Sequence, residues 1–171
     1  MRAGALAALV LPVLAAAASA ELRAPVRVTL DGVAGVRPGM SVSSVSARWA
    51  VRLRPDYSVR DDCGPADIRG RPGIEGYAVF MPRGRFGAVF LDRGAVTGRG
   101  IRIGSTLAEL RRAYARLTSR PNRFIPGARY YFVRRAASPH WELRIDVGPN
   151  RLVTRIVFGT HDAVRLDEAC A

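Results

Sequence analysis

His140 and His161 are the only imidazoles in this chain, so any acid–base or zinc chemistry would have to start from them. His140 follows Pro139 in an expected loop, and His161-Asp162 falls in the C-terminal tail. General acid–base work needs groups converging on one substrate, and a zinc site needs three or four ligands at short spacing. Two separated histidines supply neither. Asp61, Asp62 and Asp67 could attract a cation, but Cys63 among them makes the stretch read as a turn beside a crosslink. No nucleophile elbow is present. Gly100-Ile101-Arg102-Ile103-Gly104 has the look of a phosphate loop, yet Gly35-Val36-Arg37-Pro38-Gly39 repeats it. A pattern used twice points to structural glycines at a helix entrance. The residues predict a non-enzyme with no catalytic, cofactor-binding or metal-binding side chains.

Cys63 and Cys170 are the remaining reactive groups, and their reading depends on compartment. Residues 1–20 have the form of a signal peptide. Arg2 gives the positive start, Ala5 to Ala17 is apolar, and Ala18-Ser19-Ala20 is a small-x-small cleavage site. The run is too short for a comfortable membrane span. Glu21 follows the cut, so no cysteine is placed for lipid attachment. The expectation is an exported protein, extracellular or in the cell envelope, with one domain over 21–171. Two cysteines in such a protein read as a disulfide, Cys63 to Cys170.

The formal net charge is +13, and all 27 basic residues are arginine. Such a charge suits an anionic surface or an acidic partner. The absence of lysine, beside abundant alanine, glycine and proline, reads equally as a coding bias toward G and C. Most arginines are scattered. Arg111, Arg112, Arg116, Arg120 and Arg123 form the one local cluster, either a solvated helix face or a site for an anion.

The elements that must position these groups come in two copies. Gly35 to Val45 recurs as Gly100 to Leu110, with glycines, arginine, hydroxyl residue and apolar positions aligned, and Trp49 matches Tyr114. In the first copy Ser41 is placed to cap a helix burying Val42, Val45 and Trp49. In the second, Thr106-Leu107-Ala108-Glu109 is a capping box, with Leu107, Leu110, Tyr114 and Leu117 on one face. Strand patterns follow each helix: Tyr77–Met81, Ala88–Leu91 and Ala95–Thr97, then Tyr130–Val133, Leu143–Val147 and Leu152–Phe158. Val26 to Leu30 alternates as a further strand. Pro82-Arg83-Gly84, Asp92-Arg93-Gly94 and Gly148-Pro149-Asn150-Arg151 read as hairpin turns. Alternation puts Leu143, Ile145 and Val147 on one sheet face and Glu142, Arg144 and Asp146 on the other.

The predicted fold is α+β, a tandem repeat of a short helix plus antiparallel strands. Both helices pack on one face of a joined antiparallel sheet. Repeat one covers about 33–97, repeat two about 98–160, and a tail covers 161–171. Trp141 has core parity, and taking Phe132 as core turns Tyr131 outward. The other sheet face is expected to be polar and exposed, making Tyr131, Arg144 and Arg155 the candidate partner surface. Arg111 and Arg112 on the helix are the second candidate.

The motif Gly-x-x-Pro-Gly-Met-Ser opening a short helix before a meander resembles the repeat of the β-lactamase inhibitory proteins. It is similar too to that of the outer-membrane assembly lipoproteins of the SmpA/OmlA type. The resemblance implies two helix-plus-strand units forming a concave sheet that grips a protein. Two departures limit it: there is no lipidated cysteine, and no segment matches an inhibitor's enzyme-contacting loops. The first functional reading is a secreted, non-catalytic protein-binding module of inhibitor-like type. The alternative is an arginine-rich binder of an anionic envelope polymer or surface. Neither involves specific nucleic acid or stable membrane insertion.

Overall fold

The computed structural model describes residues 25–58, 61–70, 73–135, 138–166 and 170. The expected leader and the start at Glu21 lie outside the described residues. The first half runs β1 (Val26–Thr29), β2 (Gly32–Val33), α1 (Val42–Trp49), β3 (Gly64–Asp67), β4 (Glu75–Met81), β5 (Arg85–Arg93) and β6 (Ala95–Thr97). The second runs α2 (Leu107–Ala113), β7 (Thr118–Pro121), β8 (Arg129–Arg135), β9 (Ser138–Val147), β10 (Val153–Thr160) and α3 (His161–Val164).

Both expected caps form. The Ser41 hydroxyl accepts from the Ser44 N–H, and at α2 Thr106 and Glu109 complete the reciprocal capping box. α2 is shorter than its apolar stripe suggests. It ends at Ala113, and Tyr114 turns to an extended backbone at φ −129°.

Seven strands form one antiparallel sheet in the order β3-β4-β5-β10-β9-β8-β7, so β5 and β10 meet at its centre. β6 does not continue it. Asp92-Arg93-Gly94 was expected to turn a hairpin, but Arg93 ends β5 and β6 pairs in parallel with β1, forming a small sheet β2-β1-β6. Gly94 makes the departure possible: at φ +74° a side chain would put its Cβ 1.5 Å from the Gly73 carbonyl oxygen.

Two apolar cores sandwich the large sheet. On one face Val45 and Trp49 of α1 and Leu110 of α2 join Phe80, Phe86, Leu91, Leu143, Ile145 and Phe158 in one cluster. Trp49 meets Phe86 edge-on at 5.8 Å and donates its indole N–H to the Val33 carbonyl. The other face differs from expectation. It is covered by α3 and by Cys170, which with Cys63 pack on Val79, Ala88, Phe90, Phe132 and Val157. The Cys63–Cys170 disulfide is present and closes this layer.

That cover corrects the expected partner surface. Arg144 has the expected parity but is 1% exposed, and Glu142 is fully buried. Tyr131 is 5% exposed, because its register opposite Ile145 turns it into the helix-side core. Phe132 is core as expected, but of the second layer, and Tyr130 shares that side. The inference failed because it allowed only one core where the sheet has two. His140 lies on β9 rather than in a loop, and His161, in the C-terminal tail, opens α3.

Candidate functional site

Strand register builds an alternating line of charges on the second sheet face. β9 contributes Arg144 and Asp146, β10 contributes Arg155 opposite Asp146, and β5 contributes Asp92. Arg155 donates through Nε to Asp92 at 2.6 Å, while Arg144 donates to both Asp146 oxygens at 2.8 and 3.2 Å. Aromatic rings frame the line: Arg144 lies 4.6 Å from the Tyr130 ring centre and 5.2 Å from that of Phe90. Arg155 lies 5.7 Å from Tyr77, which stacks on Phe90 at 4.8 Å. Burial pushes the Asp146 carboxyl above its ordinary range, against the pull of Arg144 and Arg155.

The two arginines do different work. Arg144 also donates to the carbonyls of Val164 and Leu166, at 2.7 Å each, so it fastens the chain end to the sheet. Arg155 remains about a third exposed and faces a cavity of about 380 Å³. That cavity is walled by Asp92, Asp146, Tyr130 and Thr154 and by the loop joining β7 to β8.

The loop carries Phe124 and Ile125, at 54% and 50% exposure, the exposed large hydrophobics among the described residues. Its backbone is held from within. The Asn122 Oδ1 accepts from the N–H groups of Phe124 and Ile125 at 2.8 and 3.0 Å. Asn122 donates to the Ala128 carbonyl, and Ala128 donates to that of Ile125. Two apolar side chains are thus presented at the mouth of a charged cavity by a closed, hydrogen-bonded loop.

Of the expected partner residues, Arg155 alone lines this cavity, and Arg144 stands buried behind it in the charged line. Arg111 and Arg112 stand exposed on α2. Arg120, expected in the same cluster, instead lies over Tyr130 at 5.2 Å and donates to the Arg165 carbonyl. The histidines, read as unconnected, line one cavity of about 360 Å³ with Arg134, Thr160 and Asp162. There His161 Nδ1 lies 3.3 Å from Glu142, which also accepts from Arg134 at 2.7 Å and Arg165 at 3.0 Å. Burial opposes the charge on Glu142, but the arginine hydrogen bonds outweigh it and hold the carboxyl below its ordinary value. Among the described residues no group of three or more His, Cys, Asp or Glu could hold a metal. The sequence reading missed Phe124 and Ile125, although Pro121-Asn122 and Pro126-Gly127 flank them with turn signals.

No family model matches the chain, and no curated protein matches it. Among solved structures it is similar to a cysteine-rich secretory protein from Staphylococcus aureus subsp. aureus Mu50, with TM-score 0.45 and 14% identity over 72% of this chain and 43% of that one. It is similar also to an extracellular protein containing a SCP domain from Bacillus anthracis str. Ames, with TM-score 0.43 and 8% identity over 72% and 44%. The chain therefore spans less than half the length of each.

Proposed function

We propose that this chain is an exported, non-catalytic protein-binding module, inhibitor-like in that it grips another protein through the Phe124–Ile125 loop and the cavity beside it. The observation that carries the reading is the closed loop holding two half-exposed apolar side chains beside Arg155 and Tyr130. Interface hot spots are apolar or aromatic anchors next to arginine, and an anchor already held in its bound shape loses little entropy on docking. A disulfide supports the exported location, and no helix among the described residues is long and apolar enough to cross a membrane. We read the halves as a tandem repeat on the same terms. A capped helix precedes strands twice, and the halves join through β5 and β10. The arginine excess favours a second reading, an anionic polymer as partner.

The test is affinity capture from envelope extract and culture medium with the mature chain, followed by interface mapping on the purified pair. A Phe124→Ser/Ile125→Ser variant serves as control. The expected result is a protein partner lost by the variant at unchanged Tm and held from low to moderate salt. Equal capture by the variant removes the loop from the function. Binding to a polyanion that weakens steeply over that salt range replaces the first reading with the second.

A further inference from the structure

On the helix side of the sheet, the loop before α1 borders a cavity of about 590 Å³ whose walls carry positive charge and an indole. Arg37 comes from the loop, Arg48 from the exposed side of α1, and Trp141 from β9, so both halves of the chain contribute. Among the described residues no carboxylate lines it. The Arg48 guanidinium lies across Gly35, where an added Cβ would stand 3.2 Å from its Nη1. Loop and sheet are fixed to one another. Gly39 donates to the Phe86 carbonyl at 2.8 Å, Phe86 donates to that of Met40 at 2.7 Å, and Arg85 reaches the Gly39 carbonyl at 3.2 Å. Trp141 is half-buried and rests edge-on against Phe158 at 6.3 Å, leaving part of its ring to the cavity.

We propose that this cavity is a second binding site, separate from the Phe124–Ile125 surface, for an oxyanion carried on an apolar, ring-bearing body. Two arginines lining one space are suited to a carboxylate or phosphate, since guanidinium N–H donors match paired oxygens. Trp141 and Met40 supply the apolar wall against which the body of the ligand packs. The corresponding loop of the second half is the internal contrast. Its cavity, lined by Arg99, Arg102 and Arg112, has Glu109 in the wall and no aromatic ring among the described residues. Arg99 there is already committed to the Ala113 carbonyl at 2.7 Å. The selective site is the first one.

The test titrates the mature chain with phenyl phosphate and, separately, with 3-phenylpropionate, following tryptophan fluorescence. Trp49 is only 4% exposed, so a ligand in solution reports through Trp141. A saturable change with at least one acid is expected, and the tighter of the two identifies the oxyanion. The uncharged 3-phenylpropanamide should give none at the same concentration. Arg48→Gln should weaken binding at least ~10-fold, the scale of one charge-assisted hydrogen bond, with Tm unchanged. Arg112→Gln should leave binding as it was. Trp141→Phe should abolish the signal while calorimetry still detects binding. Failure of both acids to saturate overturns the proposal. So does an equal response to the amide, or an Arg112→Gln loss matching that of Arg48→Gln.

Discussion

Arg144 is where a charged side chain has the most to lose. It sits at 1% exposure with its guanidinium close to the Phe90 and Tyr130 rings, bonded to Asp146 and to the carbonyls of Val164 and Leu166. Arg144→Met removes the partner of a buried carboxylate, and breaking such a pair costs about 3–5 kcal/mol. Adding Asp146→Asn should recover part of that loss, since the stranded charge goes too; urea denaturation of both variants measures the difference. Glu142 gives the pH dependence. Its carboxyl is held below the ordinary value in the folded state, so its contribution is present above the unfolded value and lost as pH falls. Its share of the stability should therefore decline below about pH 4.5. Asp146 is shifted upward and acts in the opposite direction. The comparison that isolates Glu142 is consequently wild type against Glu142→Gln, whose Tm difference should narrow as the pH is lowered through that range.

At the scale of elements, α2 separates packing from charge. Leu110 is fully buried beneath it, whereas Arg111 and Arg112 face outward. Leu110→Ala should cost about 2–5 kcal/mol, as cavity-forming changes do. Arg111→Ala should stay within about 0.5 kcal/mol, and loss of the Thr106 cap should cost about 1 kcal/mol. A harmless Leu110→Ala beside an unfolding Arg111→Ala would mean that the helix is turned the other way. These local features were legible because capping chemistry and the 3.6-residue period are written in neighbouring residues. Strand alternation was equally legible, which is why the parity of Leu143 to Asp146 holds. What covers each face was not, since alternation assigns residues to sides without saying which sides are wet. The side of Glu142 and Arg144 became a second core only because α3 and Cys170 return to it. The Phe124–Ile125 loop stayed hidden for a related reason: its anchors have no period, and their exposure is set by neighbouring strands.

Over the whole molecule, the chain end is tied to the sheet in two independent ways. The disulfide joins positions 107 residues apart. Chain entropy for so long a loop amounts to on the order of 4–5 kcal/mol. At the few degrees per kcal/mol usual for this size, Cys63→Ala/Cys170→Ala should lower Tm by about 10 °C. The polar ties do not need the sulfurs. Arg144 holds the carbonyls of Val164 and Leu166, Arg120 holds that of Arg165, and Arg165 pairs with Glu142. Ala163 and Val164 are fully buried under that arrangement. The disulfide should therefore act mainly on the unfolded chain, leaving the native cover in place when it is removed. Hydrogen exchange tests this at a temperature well below the variant's Tm. Amides of β9 and β10 should be less protected only in proportion to the global loss of stability, and an apolar dye should not bind. Selective opening of α3 with dye binding, while the sheet stays protected, would show that the polar ties are too weak to hold the chain end and that the sulfur bridge alone closes the second core.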